Sequence, residues 1–95
     1  MARANTGMST YLVERYWLGV GDPALRAALS RLDRAQAQMA AEGQIVQHLG
    51  SYLMAEDQVV FSVMRAASPE LVREANERAG LPYERISEVN PYGIS

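Results

Sequence analysis

The chain has 95 residues, a formal net charge of −2 and 48% apolar content, which bounds it to one globular domain. The slightly acidic balance argues against a nucleic-acid footprint, and no apolar run approaches the roughly 18 residues of a membrane span. There is no cysteine and no lysine, and His48 is the single histidine, so disulfide, thiolate and Schiff-base chemistry are excluded on this chain.

Residues 1–9 are small and polar and read as a disordered tail. They lack the apolar stretch of a signal peptide, so a cytoplasmic location is the default expectation. Met8 would serve equally well as the start, because the alternating pattern begins right after it. Residues 10–18, Thr10 to Leu18, are rich in β-branched and aromatic side chains and predict a first strand. Asp22 suits an N-cap and Pro23 a first helical position. Leu25, Leu29, Leu32, Gln36 and Met39 follow with helical spacing, and Gly43 suits the left-handed residue that ends a helix.

Residues 45–54 and 58–65 predict two strands joined by Ala55-Glu56-Asp57, a hairpin. With Met54 opposite Gln58, the more apolar set Leu49, Ser51, Leu53, Val59, Phe61 and Val63 faces the helices. His48, Gly50, Tyr52, Val60, Ser62 and Met64 then lie on the other face. A slip of one residue would exchange the sets. Ser68-Pro69 opens a second helix with the inner stripe Leu71, Val72, Ala75 and Ala79, and Gly80 ends it. Residues 83–89 form a last strand and residues 90–95 a turn-rich tail.

The order βαββαβ is that of a ferredoxin-like α+β sandwich. It predicts a four-stranded antiparallel sheet over residues 10–89 with two helices on one face. A chain this short buries roughly 60–65% of its unfolded surface, and an uncovered apolar sheet face seeks a cover. The expected cover is a second copy, giving a homodimer of the dimeric α+β-barrel type with a cavity between the sheets.

Three groups of residues could bring chemistry to that cavity. His48 is a metal ligand or general base, or else a hydrogen-bonded strand histidine. Glu14 interrupts an apolar strand and needs a partner. With His48 it could bind a divalent cation or move a proton, and the alternative is a structural ion pair with an arginine. Tyr16, Tyr52 and Trp17 could hold a flat ligand or simply pack an interface. The expected cavity lining is Glu14, Tyr16, His48, Tyr52 and Ser62, with His48 and Glu14 as metal ligands.

Three stretches carry a family resemblance. They are Tyr11-Leu12-Val13-Glu14-Arg15, then Leu49-Gly50-Ser51-Tyr52 through Glu56-Asp57-Gln58-Val59-Val60-Phe61, and Arg73-Glu74 through Arg78-Ala79-Gly80-Leu81-Pro82-Tyr83-Glu84-Arg85-Ile86. Together they resemble a small bacterial family of ferredoxin-like proteins often called nickel-binding. The resemblance covers about residues 9–89, and the run Ala79-Gly80-Leu81-Pro82 with Arg85-Ile86 is its most specific part. It implies a dimer and a nickel or other divalent metal cofactor. It also implies histidine ligands at positions held here by Gly50 and Ala75, and a cysteine at the position of Ser62. All three are replaced, and His48, two residues from Gly50, is the one imidazole left to take over. The function expected is therefore a small ligand- or metal-binding protein whose metal binding is weak or lost. The alternatives are a dimeric α+β-barrel enzyme of monooxygenase or isomerase type, with His48 or Glu14 as base and a tyrosine orienting a small organic substrate, or an interaction module without a ligand. No nucleic-acid or membrane partner is expected.

Overall fold

A computed structural model of the protein describes residues 7–92. The elements are β1 (Ser9–Tyr16), α1 (Asp22–Ala41), β2 (Val46–Met54), β3 (Val59–Ala66), α2 (Pro69–Ala79) and β4 (Arg85–Val89). The sheet order is β2-β3-β1-β4 with every neighbouring pair antiparallel. This is the ferredoxin-like arrangement, with both helices packed on one side of the sheet. The tails expected over residues 1–9 and 90–95 fall mostly outside the described residues.

Local chemistry accounts for the helix ends. Gly21, rather than Asp22, occupies the N-cap of α1. Asp22 sits in the first turn, where it accepts a hydrogen bond from Arg26 Nε at 2.9 Å, and its charge favours the helix dipole. Ser68 caps α2 by accepting from the Leu71 N–H. Gly80, at φ +70°, closes α2 in the left-handed region, and the Leu81 N–H returns to the Asn76 carbonyl.

The core lies between the helices and the sheet. Leu32 and Met39 of α1, Val72 and Ala75 of α2, and Val13, Met64 and Ala66 of the sheet are all fully buried. Three polar side chains are buried with them, Arg15, Ser62 and Asn76. No helix among the described residues is long and apolar enough to cross a membrane.

The hairpin register differs from the expected one, and the difference exchanges the faces of β3. Met54 pairs with Val59, not with Gln58. Gln58 instead belongs to the connection, with φ 55°. Val60, Ser62 and Met64 therefore point at the helices and are fully buried, while Val59, Phe61 and Val63 lie on the uncovered face. A second irregularity sits in β2. His48 pairs with Met64 but Gly50 pairs with Val63, so Leu49 is an extra, bulged residue. The bulge reverses the side-chain alternation. His48 and Ser51 thus share the helix-facing side, and Gly50 and Tyr52 face the opposite way.

This register is testable by charge insertion. Met64→Glu would bury an unpaired carboxylate at a fully buried position, costing about 3 kcal/mol or more, and should abolish the cooperative unfolding transition. Val63→Glu should leave circular dichroism and cooperative unfolding in place. The opposite pair of results would restore the register with Met54 opposite Gln58.

Candidate functional site

Two separate surfaces receive the side chains singled out in the sequence. Glu14, Tyr16 and Tyr52 stand on the uncovered sheet face; His48 and Ser62 lie on the helix-facing side. The set expected to line one cavity is thus divided by the sheet: the hairpin register moves Ser62 to the helix side, and the bulge at Leu49 moves His48 there. His48 and Glu14 do not converge on a common metal, nor does His48 share a wall with Tyr16 or Tyr52.

The uncovered face is built from alternate residues of all four strands. Cross-strand pairing sets Glu14 beside Phe61 and Arg85, Tyr16 and Met54 beside Val59, and Tyr52 beside Phe61. Tyr16 and Tyr52 are 60% and 67% exposed and Met54 is 46% exposed, an unusual concentration of bare aromatic and thioether surface. Tyr16, Met54, Asp57, Val59 and Phe61 line an open depression of about 440 Å³. At its flank Arg85 grips Glu14 Oε2 from Nε at 2.9 Å and from Nη2 at 2.6 Å. The carboxylate in the middle of β1 is therefore held in a structural ion pair. A chain with Glu14 as a free base would need Arg85 to let go.

The helix-facing side carries an internal polar chain that runs from the centre of the sheet to its β2 edge. Arg15 is fully buried. Its Nη1 donates to the Pro82 carbonyl at 3.1 Å and its Nη2 to Ser62 Oγ at 3.0 Å. Ser62 Oγ is 2.6 Å from Ser51 Oγ, which is 2.8 Å from His48 Nε2. Because the guanidinium can only donate, Ser62 accepts from Arg15; each of the two remaining bonds, Ser62 to Ser51 and Ser51 to His48, joins groups that can both donate and accept. The His48 backbone N–H donates in turn to Gln36 Oε1 of α1 at 2.7 Å.

Burial lowers the basicity of both ends of this chain. Desolvation pulls the Arg15 guanidinium down to about 10, still cationic at neutral pH. No carboxylate pairs with it among the described residues, and its Nε has no partner. His48 is held below the ordinary imidazole range, first by burial and then by the Arg15 charge, against the opposing pull of Asp33 and the Gly50 carbonyl. The imidazole is therefore neutral at neutral pH, with its Nε2 bonded to Ser51 Oγ. Sequence reasoning found His48 and Ser62 but missed Arg15 and Ser51. Arg15 stood next to Glu14 in a strand, so one of the two had to point inward, and the apolar pattern did not say which.

The residues fit a nickel site poorly. Among the described residues, no group of three or more histidine, cysteine, aspartate or glutamate side chains is placed to hold a metal. The chain's one imidazole spends its Nε2 on Ser51. Ser62, where the family resemblance implies a thiolate, is fully buried and hydrogen-bonded on both sides.

Fold and site together define a small ferredoxin-like α+β protein with one uncovered, aromatic sheet face. The chain belongs to the family described as nickel responsive protein SCO4226-like, which matches residues 11–89. The crystal structure of SCO4226 from Streptomyces coelicolor A3(2) superposes with a TM-score of 0.77 at 17% identity, covering 90% of this chain and 100% of that one. At that identity the likeness establishes the fold alone. No functionally curated protein matches the chain.

The polar chain predicts a pH dependence. A histidine whose folded pKa lies below its unfolded value of about 6.5 contributes fully above that value, and its contribution is lost as pH falls toward the folded pKa. The urea midpoint should therefore drop between pH 7.5 and pH 5, and His48→Gln should drop less over the same range. Ser62→Ala removes the acceptor of a buried charged donor, which costs about 1–3 kcal/mol; the same denaturation curves read it.

Proposed function

We propose that this member of the family is a small-molecule-binding homodimer that has no resident nickel, its ligand lying between two facing sheets. The observation that carries the reading is the uncovered face itself, with exposed Tyr16, Tyr52 and Met54 around a depression floored by Val59 and Phe61. Apolar walls with a few polar groups are what an organic ligand requires. Here the polar groups are the two tyrosine hydroxyls, Asp57 and the Glu14–Arg85 pair. The family name speaks of nickel, but one imidazole and no thiolate in the whole chain give a second copy little to add, since His48 lies behind the sheet in each.

A second copy is the natural cover because the face is self-complementary in kind. It offers both a carboxylate and a highly exposed guanidinium, Arg85 being 68% exposed against 15% for Glu14, so a two-fold axis can bring each against its opposite. The open depression of one chain would close against its copy into a chamber.

Two measurements test this reading. Light scattering at micromolar concentration should give twice the chain mass, and Tyr52→Glu, which sets like charges against each other across the axis, should give the monomer with unchanged circular dichroism. Titration calorimetry with nickel should give no saturable heat for the purified, tag-free protein. A monomeric wild type would overturn the dimer. Micromolar nickel binding abolished by His48→Ala would overturn the metal-free reading.

A further inference from the structure

The layer of helices carries a second concave feature, on the side of the molecule away from the uncovered sheet face. It is a groove of about 220 Å³ between α1 and α2, lined by Arg31, Arg34, Ala35, Gln38 and Arg78. Three guanidiniums converge there in a protein whose net charge is −2. Their states of pairing differ. Arg78 is saturated: it bonds Glu74 Oε2 from Nε at 2.9 Å and from Nη2 at 2.6 Å, Glu42 from Nη1 and Nη2, and Gln38 Oε1 from Nη1. Arg31 and Arg34 form no ion pair among the described residues. Arg31 is nevertheless fixed in place, because its Nε donates to the Ala79 carbonyl at the end of α2 at 2.8 Å. That bond leaves both of its Nη groups as donors.

Gln38 completes the set. Its Oε1 is taken by Arg78 Nη1, which turns the amide so that its N–H groups are what remains to offer. The groove therefore presents donors from Arg31, Arg34 and Gln38, while the nearby carboxylates of Glu42 and Glu74 are consumed by Arg78. Arg31 and Arg34 are three residues apart on one helix and so are neighbours on its surface. Like charges left side by side without a counter-ion cost free energy that a bound anion would recover.

We infer that this groove binds a small tetrahedral oxoanion, a phosphate free or as the monoester of a small molecule. Guanidinium forks match phosphate oxygens two at a time. Arg31 acts as the preorganised arm, Arg34 as the mobile arm that closes over the anion, and Gln38 donates a neutral hydrogen bond. Arg78 does not bind the ligand; with Glu42 and Glu74 it joins the two helices and keeps the groove at its width. The site is independent of the uncovered sheet face and of whatever ligand that face takes.

The test is a ¹H–¹⁵N titration of the full chain with inorganic phosphate and, separately, with glycerol phosphate, each at ionic strength held constant with sodium chloride. Saturable shifts at the Arg31 and Arg34 Nε–Hε groups and at the Gln38 side-chain amide are expected. Tighter binding of the ester assigns the site to an esterified phosphoryl group, and equal or tighter binding of phosphate assigns it to the free anion. Arg34→Gln, which removes a side chain with no hydrogen bond among the described residues, should weaken binding about tenfold or more. Arg26→Gln, at the far end of α1 and outside the groove, should leave it unchanged. Shifts that stay linear, or that Arg34→Gln does not diminish, would overturn the site.

Discussion

Gln58 sits with its backbone in the left-handed region at φ 55°, a conformation that costs a non-glycine residue about 1 kcal/mol or more. Three bonds hold it there, one of them from its own N–H to the Ala55 carbonyl at 3.2 Å. Its carbonyl accepts the Trp17 N–H at 2.9 Å and its side-chain Oε1 accepts the Gly19 N–H. Both donors lie just past the end of β1, so the hairpin connection is tied to the strand that runs beside β3. That tie fixes how many residues the turn consumes. With Gln58 in the turn, Val59 is the first residue of β3 to pair, and every side chain of β3 is thereby assigned to a face. Ser62 goes under the helices because Gln58 does not go into the strand.

Arg15 depends on that assignment. A buried guanidinium is tolerable only if acceptors reach it, since an unpaired charge in a dry core loses several kcal/mol of hydration. Ser62 Oγ is one acceptor, and the Pro82 carbonyl, in the loop that follows α2, is the other. The run Leu81-Pro82 thus does two things: it follows the end of α2, where proline cannot continue a helix, and it presents the Pro82 carbonyl to Arg15. Ser62 in turn needs Ser51, and Ser51 needs the bulge at Leu49 to stand on the same side as His48. One polar chain therefore locks β1, β3 and β2 into a single register. An apolar core of the same volume would not specify register so tightly, because valine and leucine pack acceptably in neighbouring alignments.

Element order and type were legible for plain reasons. The helices carry their own punctuation, Pro23 and Gly43 for one and Ser68-Pro69 and Gly80 for the other, and the strands carry β-branched and aromatic runs. The sheet faces were not legible, because β3 is apolar on both sides. Val59, Phe61 and Val63 alternate with Val60, Ser62 and Met64, and the set containing a serine looks like the wetter one. It is in fact the buried one, since the serine is there for the arginine. The bulge in β2 left no mark that a sequence pattern reveals: Gly50 lies beside it, but with an ordinary negative-φ backbone and open space around its α-carbon. The same blindness merged two surfaces into one expected site, joining His48 to Tyr52 across a sheet that separates them.

The polar chain bears on what this member of the family can do. Position 62 holds a hydroxyl that accepts from a cation and is bonded to a second hydroxyl. A thiolate there would lie about 3 Å from the same guanidinium, and a metal ion beside it would meet a fixed positive charge that the present structure does not neutralise. The Arg15–Ser62 bond is thus a structural use of the position that competes with a metal-binding use. The uncovered face carries no imidazole among the described residues and nothing softer than Met54, but it has two exposed tyrosines and an apolar floor. Exposed tyrosines over an apolar floor favour shape and aromatic contact over metal coordination.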